Sequence, residues 1–186
     1  MTRRIAVLPF LCLALLALTP VRAEAQIDLL PRLTITGGYQ YLLDKSWDEK
    51  LDKGWVAAVA YKIGEITSVV AEGSGSYGKL TGTDWTIERY AFLGGIKFQV
   101  GGEGPRPFVQ FMAGLSRQAG DVGIANGLAL QPGGGVDLPF GDRLSVRVFG
   151  DYRLIREKDK SLATGPAWVR YNQYRVGGAV VWVLLR

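Results

Sequence analysis

Leu144-Ser-Val-Arg-Val-Phe-Gly-Asp-Tyr-Arg-Leu154 alternates by twos. Leu144, Val146, Val148, Tyr152 and Leu154 fall on one side with Gly150. Ser145, Arg147, Phe149, Asp151 and Arg153 fall on the other. Period two with one apolar and one polar face is the signature of a β-strand, not of a helix. The same alternation recurs along the chain. Leu33, Ile35, Tyr39 and Tyr41 oppose Thr34, Thr36 and Gln40, and Trp55, Ala57, Val59, Tyr61 and Ile63 oppose Val56, Ala58, Ala60 and Lys62. Glu72, Ser74 and Ser76 share the polar face of 69–77, and Tyr90, Phe92, Ile96, Phe98 and Val100 oppose Arg89, Lys97 and Gln99. Val109, Phe111, Ala113 and Leu115 oppose Gln110, Met112 and Ser116; Leu128, Leu130, Val136 and Leu138 oppose Gln131 and Asp137. Tyr174, Val176, Val180, Trp182 and Leu184 oppose Arg175 and small residues. The pattern predicts eight strands of about nine to eleven residues.

The connections alternate too. Residues 64–66, 101–107 and 139–143 are short and rich in Gly, Pro and Asp, whereas 43–54, 78–84, 119–127 and 157–170 are longer and more polar. Short and long connections in turn, with both ends of the chain on the short side, describe an antiparallel up-and-down barrel. Pro132, with Gly133, Gly134 and Gly135 behind it, removes a ladder hydrogen bond and predicts a bulge or sharp bend.

Alternation alone does not say which face points inward. The apolar faces are bulky and carry Tyr, Trp and Phe towards the strand ends, while many residues opposite them are small. An eight-stranded barrel has little interior space, so the small and polar face fits the lumen and the bulky face fits lipid. Strands of this length cross a bilayer when tilted, and closure satisfies every backbone donor and acceptor. The apolar run 176–185 is about half as long as a spanning helix requires. The fold class expected is all-β, an eight-stranded antiparallel up-and-down transmembrane β-barrel.

The first 25 residues read as a cleaved signal peptide: Arg3 and Arg4, the apolar run Ile5 to Val21, and the small-x-small site Ala23-Glu24-Ala25. Residues 26–186 are then the barrel domain, with 19 basic and 16 acidic side chains interleaved, a balance that does not point to nucleic acid. The single cysteine, Cys12, lies in the signal, and the chain has no histidine. That excludes disulfides, thiolate and His-ligated metal sites, and Ser-His-Asp or Cys-His catalysis in the mature chain. Its 25 glycines, at almost twice the usual frequency, show no period of three.

Leu130-Gln-Pro-Gly-Gly-Gly-Val-Asp137, a tight turn, Leu144-Ser-Val-Arg-Val148, Asp151-Tyr152 and the closing Asn172-Gln-Tyr-Arg-Val-Gly-Gly-Ala-Val-Val-Trp182 resemble the last third of the outer-membrane β-barrel domain family. These are the small OmpA-like, OmpX-like and opacity-protein-like bacterial barrels. The resemblance implies the fold, the outer membrane and delivery by the barrel-insertion machinery, and no single biochemical activity. Members of that family usually end on an aromatic residue that the machinery reads. Here the chain ends Trp182-Val-Leu-Leu-Arg186, which implies a weakened or displaced signal.

On this assignment a polar network of Lys62, Glu72, Arg89, Lys97, Asp137, Arg147, Asp151, Arg153 and Arg175 faces the lumen. It reads as a structural packed core of ion pairs, with a narrow anion-preferring path as the alternative. Gly73-Ser-Gly-Ser-Tyr-Gly-Lys-Leu80 nearly spells a phosphate loop, but Leu80 stands where a hydroxyl should hold magnesium and no helix follows. Residues 101–105 read as a turn, not a dinucleotide loop. The mixed-charge stretches 44–53 and 156–160 read as solvated loops, with lipopolysaccharide or a surface partner as the functional alternative. Trp47, Trp85 and Trp168 read as interface anchors. The sequence thus predicts a monomeric, non-enzymatic outer-membrane protein with no cofactor, presenting four external loops for an envelope-structural or surface role. A porin-like channel, a soluble periplasmic ligand-binding barrel and a lipid-modifying enzyme are the alternatives. The last would lack the histidine that such enzymes use.

Overall fold

The computed structural model describes residues 31–44, 49–51, 53–79, 86–102, 104–120, 124–159 and 167–185. The signal segment with its Cys12, and Trp47, Trp85, Leu80 and Arg186, lie outside them. Nine strands follow in order: β1 (Leu33–Asp44), β2 (Glu49–Leu51), β3 (Lys53–Lys62), β4 (Thr67–Lys79), β5 (Thr86–Gln99), β6 (Arg106–Gly120), β7 (Ala125–Phe140), β8 (Leu144–Asp159) and β9 (Ala167–Leu185). From β3 to β9 each strand pairs antiparallel with the next, and β1 pairs with both β3 and β9. β2 and β3 both pair with β1 and form one wall strand. The result is an eight-stranded closed antiparallel barrel.

The register fixes its geometry. From Thr34 the partners run Ala60, Val70, Gly95, Met112 and Gln131. The β7–β8 register on both sides of Gln131 sets it opposite Arg153, whose partner Gln173 faces Asp44. One circuit therefore advances ten residues along β1. With a rise of about 3.3 Å per residue and strands about 4.8 Å apart, this shear tilts the strands by about 40° and gives a backbone radius of about 8 Å. Such a barrel holds side chains and little else.

Inward and outward positions alternate as the sequence pattern requires. The inward row of β8 is Ser145, Arg147, Phe149, Asp151, Arg153 and Ile155, all buried. Outward positions leave large apolar side chains exposed on every wall, among them Phe92 at 65%, Phe111 at 60%, Leu128 at 60% and Val176 at 52%. The hairpin of β8 and β9 shows the outward rungs in order: Leu144/Trp182, Val146/Val180, Val148/Gly178, Gly150/Val176 and Tyr152/Tyr174. The last is a ring pair 5.2 Å apart. At the same level on the opposite wall, Trp55 Nε1 donates to the Tyr77 hydroxyl at 3.2 Å, and Tyr77 meets Tyr90 edge-on at 5.8 Å. An aromatic rim thus bounds one end of the apolar belt, and Tyr61, Phe98, Phe140 and Trp182, all exposed, bound the other.

Two sequence expectations need correction. No bulge forms at Pro132: the β6–β7 register runs unbroken from Leu128 to Asp137. The β7–β8 register is the same on both sides of residues 131 and 132. The three glycines let neighbouring strands close in instead. A Cβ on Gly133 would sit 1.6 Å from Asp151 Oδ1, so glycine leaves room there for a carboxylate. The irregularities lie elsewhere, at Leu33/Thr34 against β9 and between Tyr39↔Trp55 and Leu42↔Leu51, where β2–β3 carries one residue more than β1. Second, the long connections are shorter than expected, because strands continue through 49–51, 125–127, 157–159 and 167–170. Among the short turns, 139–143 contracts to 141–143, where Gly141 adopts φ +73°, a conformation that favours glycine.

Candidate functional site

The chemistry-bearing side chains converge on the barrel interior. Period two aims them there, and register then pairs them. Asp137 lies directly opposite Arg147 across β7–β8, and Asp151 opposite Arg175 across β8–β9. Each arginine thus meets a carboxylate on the neighbouring strand.

The central cluster is organised by Arg175, 1% exposed. Its Nη1 donates to Glu72 Oε1 at 2.6 Å and to Gln40 Oε1 at 2.8 Å, and Nη2 donates to Glu72 Oε2 at 3.1 Å. Its Nε donates to Asp151 Oδ2 at 2.9 Å, and Nη2 also contacts that oxygen. One guanidinium therefore joins β9 to β1, β4 and β8. Arg153 donates to Gln131 Oε1 at 2.6 Å and to Ser74 Oγ at 3.1 Å, with Glu72 Oε1 4.0 Å away. Gln110 donates to Asp151 Oδ1 at 3.2 Å, and Gln40 to Ser76 Oγ at 3.0 Å.

A second cluster lies nearer the short turns. Arg147 holds Asp137 with a two-pronged pair at 2.6 and 2.8 Å, and Gln99 donates to the same carboxylate at 2.8 Å. Lys97 donates to Gln99 Oε1 at 3.0 Å. Aromatic rings separate the cations. Phe108 lies 4.6 Å from the Arg147 guanidinium and 5.8 Å from the Lys97 ammonium, and Phe149 lies 4.9 Å from Arg175. Cation–π attraction adds to the ion pairs where water is scarce.

Seven of the nine residues singled out from the sequence, Glu72, Lys97, Asp137, Arg147, Asp151, Arg153 and Arg175, belong to these clusters. Arg89, 5% exposed, sits on the inward row of β5 opposite Ser76 and Gln118. Lys62 is half-buried at the end of β3. Sequence reasoning did not single out the amides Gln40, Gln99, Gln110 and Gln131, nor the rings Phe108 and Phe149. Their signal was available, since they occupy the same inward rows. Gly73 to Lys79 is part of β4, so the near-phosphate loop is a strand.

A void of about 10 Å³, room for one water, lies among Thr36, Val56, Ala58, Glu72, Phe108, Gln110, Arg147 and Phe149. Apolar groups also pack inside: Ala58, Ala60, Val70, Ala91, Leu93, Met112, Ala129 and Ile155 on one side, and Leu42, Leu51 and Ile87 towards the long connections. The interior is packed.

Solved proteins share this architecture. Neisserial surface protein A superposes with a TM-score of 0.61 at 10% identity, over 82% of this chain and 96% of that one. The attachment invasion locus protein Ail of Yersinia pestis, in complex with the heparin analogue sucrose octasulfate, superposes at 0.50 with 14% identity, over 80% and 97% of the two chains. The fold is that of the small eight-stranded outer-membrane barrels. No protein-family model matches the sequence, and no curated protein matches it either.

Proposed function

We propose that this chain is an integral outer-membrane barrel of a Gram-negative-type bacterium. It is non-enzymatic and acts by holding four external loops at the cell surface, in an envelope-structural or surface-interaction role. The observation that carries the reading is the inverted polarity of the barrel. Phe92, Phe111 and Leu128 are at least 60% exposed, while Arg153 and Arg175 are at most 2% exposed. Water would expel such an exterior, and only lipid suits it. The likeness to Neisserial surface protein A supports the fold from which this reading starts.

A packed interior supports a scaffold over a channel. Five buried cations, Arg89, Lys97, Arg147, Arg153 and Arg175, surround three buried carboxylates, Glu72, Asp137 and Asp151. The guanidiniums of Arg147, Arg153 and Arg175 are committed to ion pairs and polar side chains, which suits a lock between walls better than a stepping path for anions. Absence of histidine supports the non-enzymatic reading.

Cell-envelope fractionation with electrophoresis of unheated and boiled samples tests the proposal. The protein is expected in the outer membrane, beginning near Gln26, and its unheated form is expected to run ahead of the boiled one. Recovery from the soluble periplasm, with a single band position, would overturn it.

A further inference from the structure

We infer that the outward arginines above the aromatic rim of β8 and β9, Arg156 and Arg170, form a site for the phosphate of a membrane lipid headgroup. This inference rests on the membrane reading above and adds a ligand to it. The outward rungs of the hairpin grade in order: apolar up to Gly150/Val176, phenolic at Tyr152/Tyr174, mixed at Leu154/Asn172 and doubly cationic at Arg156/Arg170. Arg156 and Arg170 are direct cross-strand partners, and both are exposed. Like charges placed directly opposite destabilise a sheet, so the pairing is costly unless an anion lies between them.

The described neighbours on β7 and β8 do not supply that anion. Leu128 faces Arg156 from β7, with Asn126 beside it on the same outward row. Glu157 belongs to the inward row of β8. Among the described residues, no carboxylate stands on the outward face of these rungs. Arg117, exposed on the outward row of β6, pairs across from Tyr90 and lies diagonal to the outward carboxylate of Glu88, so it stands apart from this rung.

Depth selects the occupant. From Trp182 to Tyr174 the strand advances about 26 Å, or about 20 Å across a bilayer at a tilt of about 40°. The arginine rung lies about 10 Å further out, where phosphates lie in a membrane that the apolar belt spans. Arginine forks match phosphate oxygens in geometry and charge. The chemistry fits a phosphate monoester on a lipid better than a diester, because two arginines meet one group.

The test uses the mature protein folded into phosphatidylcholine vesicles, with and without one phosphatidic acid in five lipids. Unfolding by urea is followed for wild type, R156Q/R170Q, and R143Q, which removes an exposed arginine at the opposite end. Phosphatidic acid is expected to raise the wild-type midpoint by about 0.5 M or more, as a ligand of the folded state does. The rise should persist in R143Q and fall by at least half in R156Q/R170Q. Equal rises in all three would overturn the site. So would a rise in lipid-free detergent with sucrose octasulfate, if phosphatidic acid gave none, since the rung would then read soluble sulfated sugars. Failure to fold in any vesicle would instead overturn the membrane reading itself.

Discussion

At the residue scale, Arg175 and Gly133 show how tightly the interior is specified. Arg175 satisfies Glu72, Asp151 and Gln40 together. Arg175→Met would leave two carboxylates buried without their common cation, a loss of about 3–5 kcal/mol. Adding Asp151→Asn should recover much of that loss, because Glu72 then keeps Arg153 as its cation and the charges in the cluster balance again. Urea unfolding of the refolded barrel measures both. Gly133→Ala is expected to cost about 2–4 kcal/mol by the same measurement, since its methyl group would occupy the position of Asp151 Oδ1. Full stability of that variant would show that the carboxylate has room to move.

At the element scale, the outward rungs carry the strongest test. Val148 is 58% exposed and lies midway along the apolar face of β8. Val148→Arg should destabilise the protein in vesicles by about 2–4 kcal/mol. A barrel with a wet exterior would tolerate it within about 0.5 kcal/mol. The strand faces were legible from the sequence because each wall exposes apolar side chains on one side and packs polar groups on the other, which writes period two into Leu144–Leu154 and its counterparts. The strand ends were not. Glu49–Leu51, Glu157–Asp159 and Ala167–Arg170 lie beyond the apolar belt, where the outward face is no longer uniformly apolar. There they look like loop in composition although they pair like strand. Pro132 misled for a different reason. Its missing donor affects only the β8 side, where pairs at 131 and 132 drop out, while β6 holds the register.

At the scale of the whole molecule, the register gives a barrel too narrow for a passage unless its lining is small, and this lining is large. Phe108, Arg147, Phe149 and Arg175 stack inside it, beside a void of about 10 Å³. Planar-bilayer recordings are expected to show no discrete conductance steps from the wild-type barrel. Regular steps would contradict the packed interior. The list of interior charges could be read from the sequence; their partners could not. Arg175 meets Glu72 from 103 residues away and Gln40 from 135, and only closure of the sheet through β1 and β9 brings them together. The account depends throughout on which way the apolar face points. Trp55 and Trp182, 40% and 50% exposed at opposite ends of the belt, report that directly. In variants that keep one of these indoles and replace the other four tryptophans, fluorescence in vesicles should be strongly quenched by brominated acyl chains and little affected by aqueous iodide. Strong iodide quenching, with none from brominated lipid, would place the apolar face in water and contradict the account.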